Sequence, residues 1–186
     1  NKAVLVIKTS DPTQPVINFP IYLDKNGAPV ITAPTGTVYA KEAEKTTVNV
    51  VVADEDGDDF TLAFSSPAQL ASIKSVTAVN NAELTFAAAE DGTYAVSGAS
   101  QGVNVEIEIA PNYGDAGKYA FTLTAVDAHA NEAQAIVNYE VEHVNRAPEA
   151  VAVEDIELAL DAASPVISYE TMFIEPDEDK MTYTMT

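Results

Sequence analysis

Ala53-Asp54-Glu55-Asp56-Gly57-Asp58-Asp59-Phe60 sets five acids around one glycine, between two apolar runs of strand length. Residues 47–53 precede the loop and residues 60–64 follow it, and both runs read as β-strands. Carboxylates this crowded repel one another unless a cation or water screens them. A variant, Glu175-Pro176-Asp177-Glu178-Asp179-Lys180-Met181, stands near the end of the chain. The rest of the sequence reads as strands that hold this loop, and then its copy, at the tops of successive domains.

The totals bound the class. A chain of 186 residues has room for one or two domains, and 47% hydrophobic content belongs to a folded protein rather than an acidic tail. Nine Lys and Arg stand against 29 Asp and Glu, a net charge of -20. That excludes nucleic acid and direct membrane insertion as partners, since both need positive or long apolar surface. There is no cysteine, so no disulfide scaffold, thiolate zinc site or cysteine nucleophile. The sequence starts at Asn1 without a leader-like segment and stops at Thr186 in mid-strand, so both ends read as cut from something longer.

The flanks carry a repeat. Residues 4–7 and 16–23 are strand-like runs joined by the turn Thr9-Ser10-Asp11-Pro12, which makes a hairpin. A hairpin alone is marginal in water, so it reads as the close of a preceding domain. Asp24-Lys25-Asn26-Gly27-Ala28-Pro29 then forms a polar linker, and His143-Val144-Asn145-Arg146-Ala147-Pro148 repeats its Asn-x-Ala-Pro pattern. Asp54 follows Asn26, and Asp177 follows Asn145, at similar distances, so linker and acidic loop recur in order.

Between the linkers, strands are predicted at 37–41, 47–53, 60–64, 73–79, 83–87, 93–96, 103–109, 119–126 and 134–141, with one helical turn at 67–72. Val103-Asn104-Val105-Glu106-Ile107-Glu108-Ile109 alternates cleanly between an apolar and a wet face. Many short strands with turns between them indicate an antiparallel β-sandwich. Asp115-Ala116-Gly117-Lys118-Tyr119-Ala120-Phe121 has the spacing of a tyrosine corner, in which the tyrosine hydroxyl bonds back to the preceding turn.

With those residues in place, the chain resembles tandem bacterial cadherin-like repeats of the dystroglycan type, relatives of the Ig-like fold. Asn145 to Pro148 followed by Phe173-Ile174-Glu175-Pro176-Asp177-Glu178-Asp179-Lys180-Met181-Thr182-Tyr183 carries the likeness in the second copy. The acidic loop at 54–59, Asp91-Gly92-Thr93-Tyr94 and the run from Tyr119 to Asp127 carry it in the first. Residues 65–110 are longer than such a repeat needs. The resemblance implies an all-β, Ig-like or cadherin-like sandwich in tandem: a terminal hairpin plus linker at 1–25, a complete sandwich at 26–144, and the first strands of a further repeat at 145–186.

It also implies a calcium site. In such sandwiches the B–C loop, here 54–59, and the F–G loop, here 127–131, lie beside the incoming linker. Asp24, Asn26, Asp54, Asp56, Asp58 and Asp127 form the expected ligand set, and oxygen donors of this kind suit a hard cation. The linker departs from the family by having Gly27 where a second acid would stand. At the second junction His143 replaces the acid and Arg146 stands beside Asn145, which disfavours calcium there. The loop is no EF-hand, because Ser65 stands twelfth from Asp54 where a glutamate is needed. The plainer alternative is a solvated acidic turn in which Asp54 or Asp58 caps the backbone.

Other chemistry is thinner. Gly98-Ala99-Ser100-Gln101-Gly102 matches a nucleophile pattern but lacks the strand–elbow–helix setting. Tyr39, Tyr94, Tyr113 and Tyr139 are candidates for a sugar platform, although no tryptophan is present. His129 and His143 read as solvated residues rather than ligands. The sequence thus points to a non-catalytic, extracellular or surface module of a larger bacterial protein. Its partners would be neighbouring domains of the same chain, with another protein or a glycan beyond them. Adhesion and spacing are the expected role, and carbohydrate binding is the alternative.

Overall fold

Alternation of small β-branched and polar residues builds two facing sheets. The computed structural model describes residues 2–22, 26–79, 85–88, 93–97, 102–152, 160, 163, 168 and 171–184. Its strands are β1 (Lys2–Lys8), β2 (Val16–Tyr22), β3 (Val30–Thr32), β4 (Val38–Lys41), β5 (Thr46–Ala53), β6 (Phe60–Ser65) and β7 (Ala71–Ala78). There follow β8 (Thr85–Ala88), β9 (Thr93–Ser97), β10 (Val103–Ile109), β11 (Gly117–Asp127), β12 (Glu132–Glu142), β13 (Glu149–Ala150) and β14 (Phe173–Ile174). The predicted strands are therefore present where their residues are described. Short β3 escaped the sequence reading. The predicted helical turn at 67–72 is instead a turn closed by Gln69 N–H on Ser66 O (2.8 Å), with Gln69 left-handed at φ 57°.

One sheet has the order β3-β5-β10-β7 and the other β4-β12-β11-β6-β9-β8. Pairing is antiparallel throughout the two sheets except for β4 beside β12, which run parallel. The hairpin β8–β9 lies between β7 and β10 in the chain but joins the free side of β6. That accounts for the extra length at 65–110: it widens the second sheet by two strands.

The inner faces interlock into one core. Val48, Val50 and Val52 of β5 and Val103, Val105, Ile107 and Ile109 of β10 face Phe60, Leu62, Phe121, Leu123, Val137 and Tyr139. Each such side chain removed from water contributes roughly 1.5–3 kcal/mol. On the outer face of β10, Glu106 pairs with Lys74 (2.9 Å) and Glu108 with Lys45 (2.8 Å). Lys74 is the extra residue of a bulge opposite Glu106 and Ile107.

Two local devices fix the ends of strands. The Tyr119 hydroxyl donates to Asp115 O at 2.9 Å, and its ring stacks on Tyr139 with centroids 5.5 Å apart. This is the tyrosine corner the spacing predicts. Tyr119→Phe should cost about 1 kcal/mol, seen as a lower urea midpoint with an unchanged slope. Gly102, at φ 98°, lies so close to β5 that a Cβ would sit 2.8 Å from Val52 O, so only glycine fits there.

Outside the sandwich, β1 and β2 form the expected hairpin in full register from Lys2↔Tyr22 to Lys8↔Val16. Val4, Leu5, Val6, Ile7, Phe19 and Ile21 are all exposed on it. β13 and β14 pair through Glu149↔Ile174 and Ala150↔Phe173.

Candidate metal centre

The core alternation does not stop at the last apolar residue. Val48, Val50 and Val52 lead to Asp54 on the same inward side of the chain, and Phe121, Leu123 and Ala125 lead to Asp127. Read backwards, Leu62 and Phe60 of β6 lead to Asp58. Three carboxylates thus hold core-facing positions one step beyond the hydrophobic layer, at one end of the sandwich. Asp54 is 3% exposed and Asp127 6%.

The acidic loop is a tight turn. Gly57 N–H donates to Asp54 O (3.3 Å) with Gly57 at φ 79°, and Asp54 Oδ1 accepts from the N–H groups of Asp56 (2.9 Å) and Asp58 (3.4 Å). So Asp54 caps its own loop, as the plainer sequence reading has it, but with one oxygen only. Among the described residues, Asp54 Oδ2 is buried without a hydrogen-bond partner, and so is Asp58 Oδ2. Asp56 turns toward the linker and accepts Gly27 N–H at 2.6 Å.

Asp127 is the organiser of the second loop. Its Oδ1 accepts from the N–H groups of His129 and Asn131, both at 2.8 Å. Its Oδ2 accepts from the side-chain amides of Asn131 (2.8 Å) and Asn26 (2.6 Å). Burial pushes this carboxyl up, but the bonds from Asn131, His129 and Asn26 outweigh it and hold its pKa below the usual aspartate value.

The linker, the 54–59 loop and the 127–131 loop therefore meet, with Asn26, Asp54, Asp56, Asp58 and Asp127 brought together. Asp24 lies outside the described residues. One member was missed: His129, read from sequence as a solvated loop residue, places Nδ1 3.3 Å from Asp58 Oδ2. Donor atoms of Asp58, Asp127 and His129 lie within 4.8 Å of one another. The inward register of Asp54, Asp58 and Asp127 sets them apart from Glu55 and Asp59, which the expected ligand set also omits. Oxygen donors of this kind suit a hard divalent ion: Asp58 and Asp127 bring theirs together beside His129, and Asp54 Oδ2 is buried next to this loop without a hydrogen-bond partner among the described residues.

The opposite end is built from similar parts with another outcome. Glu42, just after β4, is 1% exposed. Its Oε1 accepts from Gly114 N–H (2.8 Å) and Ala116 N–H (3.0 Å), and its Oε2 from Val144 N–H (2.9 Å). His143 Nδ1 lies 2.9 Å from Oε2, so His143 is tied to the sandwich rather than simply solvated. The second linker continues to Arg146, whose N–H and Nε reach Asp177 at 2.5 and 2.8 Å. Neither Glu42 nor the grip of Arg146 was read from sequence.

The remaining candidates separate clearly. Ser100 lies outside the described residues. Tyr139 is 1% exposed and belongs to the core, so it cannot serve a sugar platform, while Tyr39 and Tyr113 are exposed. Among the described residues no helix is long and apolar enough to cross a membrane.

No protein-family model matches the sequence, and no curated protein does. Among solved structures, the chain is similar to a non-cellulosomal cohesin from the archaeon Archaeoglobus fulgidus, with 16% identity and a TM-score of 0.39, over 62% of this chain and 92% of that one. It is similar to the SrpA adhesin of Streptococcus sanguinis with 15% identity and a TM-score of 0.42, over 73% and 69%. Domains 4 and 5 of the S-layer protein SbsC match with 14% identity and a TM-score of 0.37, over 76% of this chain and 57% of that one.

Proposed function

We propose that this chain is a non-catalytic spacer and adhesion module of a bacterial surface or secreted protein, with calcium stiffening the junction between its incoming linker and its sandwich. The observation that carries the reading is Asp54 Oδ2, a buried carboxylate oxygen with no hydrogen-bond partner among the described residues, in the same loop as Asp58 Oδ2, whose near neighbour is His129 Nδ1 at 3.3 Å. Leaving an anionic oxygen unpaired in a buried site is costly, and a divalent ion is a partner that offsets it. Asn26 and Gly27 tie the linker to Asp127 and Asp56, so an ion held here also restrains the linker. The net charge of -20 favours cations around the whole module.

Calcium at about 5 mM should stabilise the fold by about 1–2 kcal/mol if the site binds at roughly 10⁻⁴–10⁻³ M, as extracellular modules do. The thermal midpoint should then rise by about 4–8 °C over its value in EDTA. Asp54→Asn keeps the Oδ1 cap while removing a charge. It should melt slightly above the parent in EDTA and lose the calcium shift. A parent midpoint that ignores millimolar calcium sinks the cation-stiffened reading and leaves a plain spacer.

A further inference from the structure

The two linkers follow one hydrogen-bonding plan, and their shared Asn-x-Ala-Pro pattern differs at x, which is Gly27 in the first and Arg146 in the second. In the first, Asn26 Nδ2 donates to Gly27 O (3.1 Å), Gly27 N–H to Asp56 Oδ2 (2.6 Å), and Asp56 N–H to Asp54 Oδ1 (2.9 Å). In the second, Asn145 Nδ2 donates to Arg146 O (3.2 Å), Arg146 N–H to Asp177 Oδ2 (2.5 Å), and Asp177 N–H to Glu175 Oε1 (3.1 Å). The turns match as well. Gly57 closes on Asp54 at φ 79°, and Glu178 closes on Glu175 O (3.3 Å) at φ 61°. The bonds therefore pair Asp177 with Asp56 and Glu175 with Asp54, which corrects the pairing of Asp177 with Asp54 suggested by spacing. Gly27 corresponds to Arg146.

We propose that the residue after the linker asparagine selects the cation of each junction: glycine leaves the acidic loop to a divalent ion, and arginine fills the corresponding place with its own guanidinium. The first half rests on the calcium reading above, while the second stands on Arg146 itself. Its guanidinium binds Asp177 Oδ1 through Nε (2.8 Å) and a terminal nitrogen (2.7 Å), and that nitrogen also donates to Pro176 O. Its carbon lies 4.5 Å from the centre of the Tyr113 ring. One fixed positive charge thus joins a carboxylate of the second acidic loop, a carbonyl and an aromatic face of the sandwich. The Asp177 side chain it neutralises is 3% exposed. At the first junction a Cβ on Gly27 would meet Asp56 Oδ2 at 3.4 Å, an ordinary contact, and Gly27 needs no left-handed backbone. A side chain can therefore grow there, toward the acid.

The test is Gly27→Arg beside Gly27→Ala, each melted in EDTA and in about 5 mM calcium. Gly27→Ala controls for the loss of glycine flexibility. Gly27→Arg should melt at least about 4 °C above Gly27→Ala in EDTA, and its calcium shift should fall below about one third of that of Gly27→Ala. Equal midpoints in EDTA, or a calcium shift fully retained by Gly27→Arg, would overturn the proposal. If the parent and both variants ignore calcium, the calcium reading fails by itself, and the EDTA comparison still decides whether a guanidinium settles the loop. Arg146→Gln supplies the mirror arm through tryptic cleavage after Lys180. Cleavage should accelerate several-fold in EDTA and in calcium alike, and an unchanged rate would count against the guanidinium clamp.

Discussion

Glu42→Ala lowers the thermal midpoint by roughly 10–15 °C, more than any exposed acid in the chain could. The residue looks ordinary in sequence, one more acid in Lys41-Glu42-Ala43-Glu44. It sits on the inward side of β4 after Ala40, at the sealed end of the sandwich, and three backbone N–H groups end on its carboxylate. Alanine leaves the N–H groups of Gly114, Ala116 and Val144 without that acceptor, and the loss of each buried partner is felt separately. Glu42→Gln keeps one acceptor oxygen and should lose about half as much. The pH dependence has a definite sign. The Val144 N–H, followed by those of Gly114 and Ala116 and by His143, draws the Glu42 carboxyl below glutamate's ordinary value of 4.5, against the opposing effect of burial. A depressed folded-state pKa contributes stability that is present above pH 4.5 and lost as the pH falls through the folded value. Asp127 and Asp177, also depressed, act in the same direction. Midpoints measured from pH 7 down to pH 3 should thus fall less steeply for Glu42→Gln than for the parent. Parallel curves would show that Glu42 is not ionised and bonded as described.

The contrast between the two ends explains which parts of the site could be read beforehand. Strand periodicity located nearly every element, because Val103 to Ile109 and Phe121 to Ala125 can bury one face only by lying in a sheet. The acidic loop and the linker were visible as composition, and sandwich topology then required them to meet. What composition could not show is which acids face inward. That follows from register: counting in twos from Val52 reaches Asp54, and from Ala125 reaches Asp127. The same count from Ala40 reaches Glu42. Whether an inward carboxylate is satisfied depends on which backbone N–H groups approach it, and these come from turns distant in sequence. Gly114 and Ala116 reach Glu42, whereas none of the described residues hydrogen-bonds Asp54 Oδ2. Arg146 was read as an obstacle to calcium, but its positive role needed the third dimension. Only the backbone path shows that Arg146 N–H and guanidinium converge on one carboxylate.

Phe121→Ala should cost about 3–5 kcal/mol, enough to lower the thermal midpoint by some 15 °C. Phe121 is fully buried, pairs across strands with Val137, and sets its ring 5.5 Å from Phe64 and 6.2 Å from Tyr139. Little can collapse into the space, because β11 is held by β12 from Gly117 to Val126 and by β6 from Thr122 to Asp127. The cavity therefore stays largely open, and the lost contacts add to the lost transfer from water. Phe121→Leu should cost far less, about 1 kcal/mol, since most of the volume is retained. The same variant separates the core from the proposed cation site. Asp127 ends the same strand, but its carboxylate is fixed by Asn131, His129 and Asn26 rather than by the ring three inward positions earlier. Phe121→Ala should therefore melt early in EDTA and still rise in calcium by about as much as the parent. A calcium shift lost together with core stability would mean that the incoming end is ordered by the core as a whole, and that its loops do not form a site of their own.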